Sequence, residues 1–310
     1  MIYTVTLNPA LDYFMGFDKV VQGEINRANS AYMRPGGKGI IESRMLTRLG
    51  TPNVALGFLG GFSGKFIQDF LHHEGVASDF TEISEVTRVN MTAKTATDET
   101  SFNAAGPNLT LKEVQQFLVK FDSLTKDDIV VLAGKSLPEL GADFYQQLIA
   151  TIKAKGAQFA IDVEGQDVLE ALPQHPIVIK PNREELGEIF SVKFDSVESI
   201  LPYGRKMLDL GAQNVMISMA GDGALLIADD GNAGSKAYFA EPVKGILKNS
   251  VGAGDSTVAG FLAEWQTSHN PVKAFKQGVA CGTAKVFSED LPSREFINKC
   301  FEKITIKEIS

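Results

Sequence analysis

The chain has 310 residues, 44% hydrophobic and 22% charged, with a formal net charge of −8. Its length allows one large domain or two medium ones around a sizeable core. The negative balance speaks against nucleic acid as a main partner, and no apolar run approaches a membrane span, so a soluble, cytoplasmic protein is expected. Two cysteines outside any CxxC pair and four scattered histidines supply neither a disulfide framework nor a zinc site.

In chain order, Asn8-Pro9 ends a first strand and leaves Asp12 in a turn, either as a clamp for sugar hydroxyls or as ordinary loop chemistry. Residues 12–33 lack a helical period, and so do residues 86–104. In the second segment Val89, Met91, Ala93 and Thr95 alternate with Asn90, Thr92, Lys94 and Ala96. Such segments suit a small half-exposed sheet, serving as surface hairpins or as a lid. Arg88 opens the second of them, as a bidentate phosphate partner or a solvated charge.

Between the two, Gly36 to Gly39 read GGKG and precede a helix carrying Ile40, Ile41, Met45, Leu46 and Leu49, closed by Gly50. Glycines 37 and 39 let the backbone approach a ligand, and Lys38 adds a positive charge there. The run is no Walker A loop, and no dinucleotide GxGxxG follows elsewhere. Strands are expected at Val54–Leu59, Ile129–Ala133, Phe159–Val163, Ile177–Ile179 and Val215–Ser218. Helices are expected at Lys65–His73, with Phe66, Ile67, Phe70 and Leu71 inward, and at Ala142–Lys155. Continuous apolar strands alternating with amphipathic helices predict a mostly parallel sheet covered on both faces. Ligands gather at the carboxyl ends of such strands, where Asp162, Lys180, Asn182 and Ser218 fall.

Three later motifs carry chemistry. In KPNREE, Asn182 and Glu185 lie three apart, either to hold a hydrated Mg²⁺ against phosphates or to form a capping box. In SMAGDGA, Gly221 and Gly223 flank Asp222 as a hairpin turn requires, either as a tight turn and no more or as a loop that lets a nucleotide lie across its backbone. In NSVGAGDSTVAG, Gly252, Ala253 and Gly254 open a helix running through Phe261, Leu262 and Trp265, with Asp255 in its first turn. Free N–H groups at such a start form an anion pocket. A carboxylate beside it either takes a proton from a hydroxyl attacking a phosphoryl group or merely complements the positive end of the helix after a glycine-rich turn, and the motif alone leaves both open. A carboxylate at a helix start is expected to titrate low, so Asp255 should be a weak base.

NPALD, GGKG, Arg88-x-Asn90, AGKSLPELG, KPNREEL, SMAGDGA and NSVGAGDS run collinearly. The series resembles the ribokinase-like (PfkB) carbohydrate kinases over essentially the whole chain, and within them the bacterial hexose-phosphate kinases. The resemblance implies a single kinase domain over residues 1–310. Its fold would be ribokinase-like: three α/β layers with a small β-sheet lid from about 12–33 and 86–104, often used as a homodimer interface. It implies ATP and Mg²⁺ as partners of a phosphosugar substrate, fructose 1-phosphate first, with tagatose 6-phosphate or fructose 6-phosphate as alternatives and a non-catalytic sugar-phosphate sensor as the competing class. Asp255 would be the base, with the backbone of Gly252, Ala253 and Gly254 stabilising the transferring phosphoryl group. Asp12 would bind sugar hydroxyls, Lys38 and Arg88 the sugar's phosphate, and Gly37, Gly39, Asn90 and Ser136 would complete the substrate site. Lys180, Asn182, Ser218, Gly221, Gly223 and Ser250 would line the nucleotide site, and Asn182 and Glu185 would organise Mg²⁺ through water.

Three departures stand out. Ile41 takes the place of an Asn that contacts sugar in GGKGxN, and the next residue, Glu42, points about 100° away on a helix and is no obvious substitute. Lys135 stands in AGKSLPE where SGSLP is usual, and Ala220 replaces a common glycine. Two of the three lie on the sugar side, so a working kinase with its own sugar preference is expected.

Overall fold

The computed structural model describes residues 1–163, 165–229 and 234–310. Its strands are β1 (Ile2–Thr6), β2 (Ala10–Gly16), β3 (Ser30–Gly36), β4 (Asn53–Leu59), β5 (Thr81–Glu82), β6 (Arg88–Lys94) and β7 (Glu99–Phe102). Then come β8 (Ile129–Ala133), β9 (Gln158–Asp162), β10 (Asn214–Ser218), β11 (Ala224–Asp229), β12 (Ser235–Ala240) and β13 (Ile306–Glu308). The helices are α1 (Lys38–Arg48), α2 (Gly61–His73), α3 (Leu111–Val119), α4 (Phe144–Ala154) and α5 (Gln166–Ala171). They continue with α6 (Arg183–Phe190), α7 (Val197–Asp209), α8 (Ala253–Ser268), α9 (Pro271–Val286) and α10 (Arg294–Lys303).

The central sheet runs β5-β4-β1-β8-β9, with β1 parallel to both β4 and β8. Single parallel bridges, Ile161 to Ile179 and Ile179 to Val215, carry it on to an antiparallel arm of order β10-β11-β12-β13. The strand expected at Ile177–Ile179 is thus reduced to bridges. Pro176 and Pro181 bracket it, and neither can donate to a ladder.

Alternation along the buried strands explains the layers. In β8, Val130 and Leu132 pack on one face with Phe117, Leu148 and Ile200, under α3, α4 and α7. Ile129 and Val131 pack on the other with Met45, Phe261 and Phe275, under α1, α8 and α9. Both cysteines are buried thiols on that second face. α2 starts four residues before the position expected from sequence, at Gly61 rather than Lys65, and buries Ile67 and Leu71 while Phe66 and Phe70 stay half-buried. Among the described residues no helix is long and apolar enough to cross a membrane.

The two segments without helical period form a separate four-stranded sheet, β3-β2-β6-β7, the small sheet outside the main core that their pattern predicts. β2 is antiparallel to β3 and parallel to β6. Tyr32, Met33, Val89 and Phe102 are exposed apolar side chains on it.

Candidate active site

The functional side chains meet where α1, the end of β9, residue 180 and the start of α8 converge. GGKG delivers Lys38 because Gly37, the α1 N-cap, takes φ 118°, a conformation only glycine adopts readily. At the other wall, Gly252 caps α8 with φ 80° and no side-chain cap, so the first turn of a 16-residue helix offers its N–H groups to a ligand. A Cβ at Gly254 would fall 2.8 Å from Lys180 Nζ, so glycine there lets the lysine approach the helix end.

Asp162, at the last position of β9, ties the site together. Its Oδ1 lies 3.5 Å from Lys38 Nζ and 3.9 Å from Lys180 Nζ. Its Oδ2 is buried with no hydrogen-bond partner among the described residues. The sequence placed Asp162 at a strand end, but no motif marked it as functional.

Asp255 corrects an expectation. Burial raises its proton affinity, Asp162 adds to the effect, and Lys38 and Lys180 oppose it; the outcome is a carboxyl pushed up to about 6. The helix start alone argued for a low value, but the desolvation and the second carboxylate are tertiary effects and they win. A base with that proton affinity suits proton abstraction better than the weak one expected.

Glu42 is the second surprise. It is fully buried, and both carboxylate oxygens lack hydrogen-bond partners among the described residues. It belongs to the same electrostatic cluster as Asp162, Asp255, Lys38 and Lys180. The 100° rotation from Ile41 is what turns it inward. Ile41 itself packs against the α8 start, with Cδ1 and Cγ2 each 3.2 Å from where a Gly252 Cβ would stand. Together with Asp12, Arg34, Asn249 and Val251 it lines a cavity of about 190 Å³.

On the lid side, Asn90 Nδ2 donates to Asp12 Oδ1 at 2.9 Å. Burial pushes the Asp12 carboxyl up, with Asn90 and Arg88 opposing. Arg88 donates to the carbonyls of Asn8 and Ala104 at 2.9 and 3.0 Å, so it braces β6 against the end of β1, and burial lowers its proton affinity. Ser136 Oγ makes only a 3.5 Å contact with the neighbouring Leu137 carbonyl.

Just past Lys180, Asn182 and Ser218 are bridged in parallel, and Ser218 N donates to the Pro181 carbonyl at 3.2 Å. Asn182 and Glu185 form a capping box, at 2.7 and 2.8 Å. Its presence does not exhaust Glu185, since only Oε2 serves the cap. Among the described residues no group of three or more His, Cys, Asp or Glu could hold a metal. The Glu185 Oε1 left outside the cap is a hard oxygen donor of the kind a hydrated divalent cation accepts. The 218–224 turn places Gly223 at φ 99° and Ala220 at φ 49°, and the alanine is strained where the family commonly has glycine. Ser250 accepts from Ala253 N through its carbonyl at 3.1 Å, closing the loop before α8.

Phosphoryl transfer calls for open N–H donors, a base and cations at one point, and on this ribokinase-like fold an uncapped helix start, a desolvated carboxylate and two lysines are gathered in that way. Comparison with known proteins agrees. Residues 5–292 match the pfkB family carbohydrate kinases, and the chain belongs to that family of sugar kinases. It is 42% identical to a 1-phosphofructokinase of Bacillus subtilis (strain 168), over 99% of each chain. It is 33% identical to a D-tagatose-1-phosphate kinase of Bacillus licheniformis, again over 99% of each. Arabidopsis thaliana ribokinase, solved with ribose and ATP, superimposes with a TM-score of 0.76 at 18% identity, covering 97% of this chain and 98% of its own, a likeness of fold alone.

Proposed function

We propose that this kinase uses ATP to convert a ketohexose monophosphate to the bisphosphate, with fructose 1-phosphate as substrate and fructose 1,6-bisphosphate as product. The observation that carries the reading is Asp255, desolvated on an open helix N-terminus with Lys180 beside it and Lys38 paired to the same Asp162. The Bacillus subtilis relative's name supports the choice of sugar.

The chemistry follows from the placement. Asp255 takes the proton of the sugar hydroxyl as its oxygen bonds to the γ-phosphorus, and the bond to the ADP oxygen breaks on the opposite side. N–H groups of Gly252 to Gly254 and the Lys180 ammonium face the charge on the transferring group. Lys38 holds phosphate oxygens at the substrate side, and Asp12, oriented by Asn90, takes sugar hydroxyls. Arg88 reaches the substrate phosphate by releasing the Asn8 and Ala104 carbonyls, so lid closure accompanies binding. Ser136, Gly37 and Gly39 complete the sugar site, and Lys180, Ser218, Gly221, Gly223 and Ser250 line the nucleotide. Asn182 and Glu185 would hold a hydrated Mg²⁺ against the nucleotide phosphates, and that ion would supply charge neutralisation. A cytoplasmic homodimer joined through the exposed apolar lid side chains belongs to the same reading.

Ile41 favours a second reading, in which another phosphosugar replaces fructose 1-phosphate. It removes an amide from the sugar site, and the D-tagatose-1-phosphate kinase relative is a neighbour of that kind. The test is ADP release with Mg-ATP and fructose 1-phosphate, tagatose 1-phosphate, tagatose 6-phosphate, fructose 6-phosphate or fructose. Turnover with a phosphosugar that Asp255→Asn abolishes supports the kinase reading, and the preferred sugar decides between the two. Sugar-phosphate binding without turnover would make the protein a sensor instead.

A further inference from the structure

Glu42 is a buried ionisable group that phosphoryl transfer, as derived above, leaves unused, and unlike Arg44 or Glu113 it has no hydrogen-bond partner among the described residues. Nothing in the packing rewards a carboxylate there. It is fully buried, and neither oxygen accepts a hydrogen bond from a described residue. An unpaired buried carboxylate is among the most costly groups a fold can hold, and an apolar side chain of similar size would be more stable. Its surroundings are all functional. Lys38 faces it from its own helix, Asp162 from β9, Asp255 from α8 and Lys180 from the segment before α6. Tyr145 of α4 feels its field too, with a hydroxyl that donates to the Gly134 carbonyl at 2.7 Å. Among the described residues, two lysines against three carboxyl groups, were all three ionised, would leave one negative charge uncompensated where phosphates must arrive.

We propose that Glu42 is a positioning residue that remains a neutral carboxylic acid through the catalytic cycle, so that Lys38 and Lys180 stay available to the phosphates. The proton that Asp255 takes from the sugar hydroxyl is a separate one, and Glu42 neither accepts nor delivers it. Ionisation of Glu42 creates that uncompensated charge beside Asp162, draws the two ammonium groups toward itself and repels both substrates. Burial and the Asp162 and Asp255 carboxylates raise its proton affinity well above that of an ordinary glutamate, in agreement.

The inference rests on the phosphosugar-kinase reading, and its test separates the two. For wild type and Glu42→Gln, kcat/KM for ATP and for the phosphosugar is measured from about pH 6 to about pH 9, the range that buried carboxyls reach. Wild type should lose about tenfold per pH unit above its alkaline breakpoint, while Glu42→Gln, which imitates the neutral acid, stays within about twofold. Glu42→Leu should also lack the alkaline limb, which separates loss of the charge from loss of a particular hydrogen bond. Parallel alkaline limbs in wild type and Glu42→Gln overturn the proposal. The second arm needs no turnover: the infrared carbonyl band of a protonated carboxylic acid should be present in the folded wild type at pH 7 and missing from Glu42→Gln. Its absence from wild type also overturns the proposal. Should no phosphosugar be phosphorylated, the kinase reading fails and the infrared arm alone decides the state of Glu42.

Discussion

Glu42 and Glu113 are both buried glutamates near the start of a helix, and they are opposites. Glu113, in the first turn of α3, accepts from the backbone N–H groups of Ser84 and Thr110, each at 2.6 Å, and from the Thr110 hydroxyl at 2.7 Å. Burial works against its charge, yet those hydrogen bonds hold the carboxyl down at about 2. Glu42 has the burial without the donors. The pair shows what separates a carboxylate that holds a fold together from one kept at a cost for a site. The first finds donors wherever it is buried, and the second is left short of them because a substrate or a neighbour's charge is to fill the role.

The comparison can be broken most decisively at Asp255, which shares the Glu42 cluster. Asp255→Asn should reduce kcat about 10²- to 10⁴-fold in the ADP-release assay, the usual contribution of a general base. In wild type the acid limb of kcat/KM should lie at about 6, because the base works only once deprotonated. The same variant should be more stable than wild type. A carboxyl raised from 3.8 to about 6 contributes stability below 3.8 and loses it as pH rises through 6. Removing the charge should therefore recover up to about 3 kcal/mol at pH 8 and almost nothing at pH 3, read by urea denaturation at the two values.

Glu113→Gln should do the reverse. It should destabilise by about 2–3 kcal/mol at neutral pH, since hydrogen bonds to a charged acceptor are lost. Because the folded carboxyl is depressed, that contribution is present above 4.5 and disappears as pH falls through about 2. Turnover at saturating substrate should be unchanged, which separates this carboxylate from the catalytic cluster. Glu42→Gln should raise stability by about 1–2 kcal/mol at pH 8, with the gain shrinking toward pH 4.5, as for any group whose folded proton affinity is raised. Thr110→Ala is the smallest change. It removes a capping hydroxyl and should cost about 1 kcal/mol by thermal melting, while Ser84 goes on holding Glu113.

Much of the molecule was legible one residue at a time. The apolar runs of β4, β8 and β9 announce buried parallel strands because only a sheet covered on both faces tolerates them, whereas β10, read the same way, pairs antiparallel with β11 and meets the parallel side through isolated bridges at Val215 and Ser218. The glycines of GGKG and GAGD announce helix starts open to a ligand because positive φ and close approach both exclude a side chain, as Gly37, Gly252 and Gly254 bear out. The lid was legible from its missing helical period. The alternation read at 89–96 was less faithful: Thr92 and Ala93 are adjacent in sequence and both buried, because the lid meets the body unevenly.

What the sequence by itself determined about this protein is therefore the local part: element types, the positions of glycine-dependent turns and the order of motifs that marks a pfkB kinase. Only the tertiary structure decided that Asp162 joins Lys38 to Lys180, that Asp255 is a strong enough base to matter near neutral pH, and that Glu42 sits unpaired among them. The reason is physical. Backbone preference and turn chemistry act over a few residues, whereas desolvation and Coulomb interaction depend on distances through space. The five groups of this cluster are spread from residue 38 to residue 255 and come together only when the sheet closes.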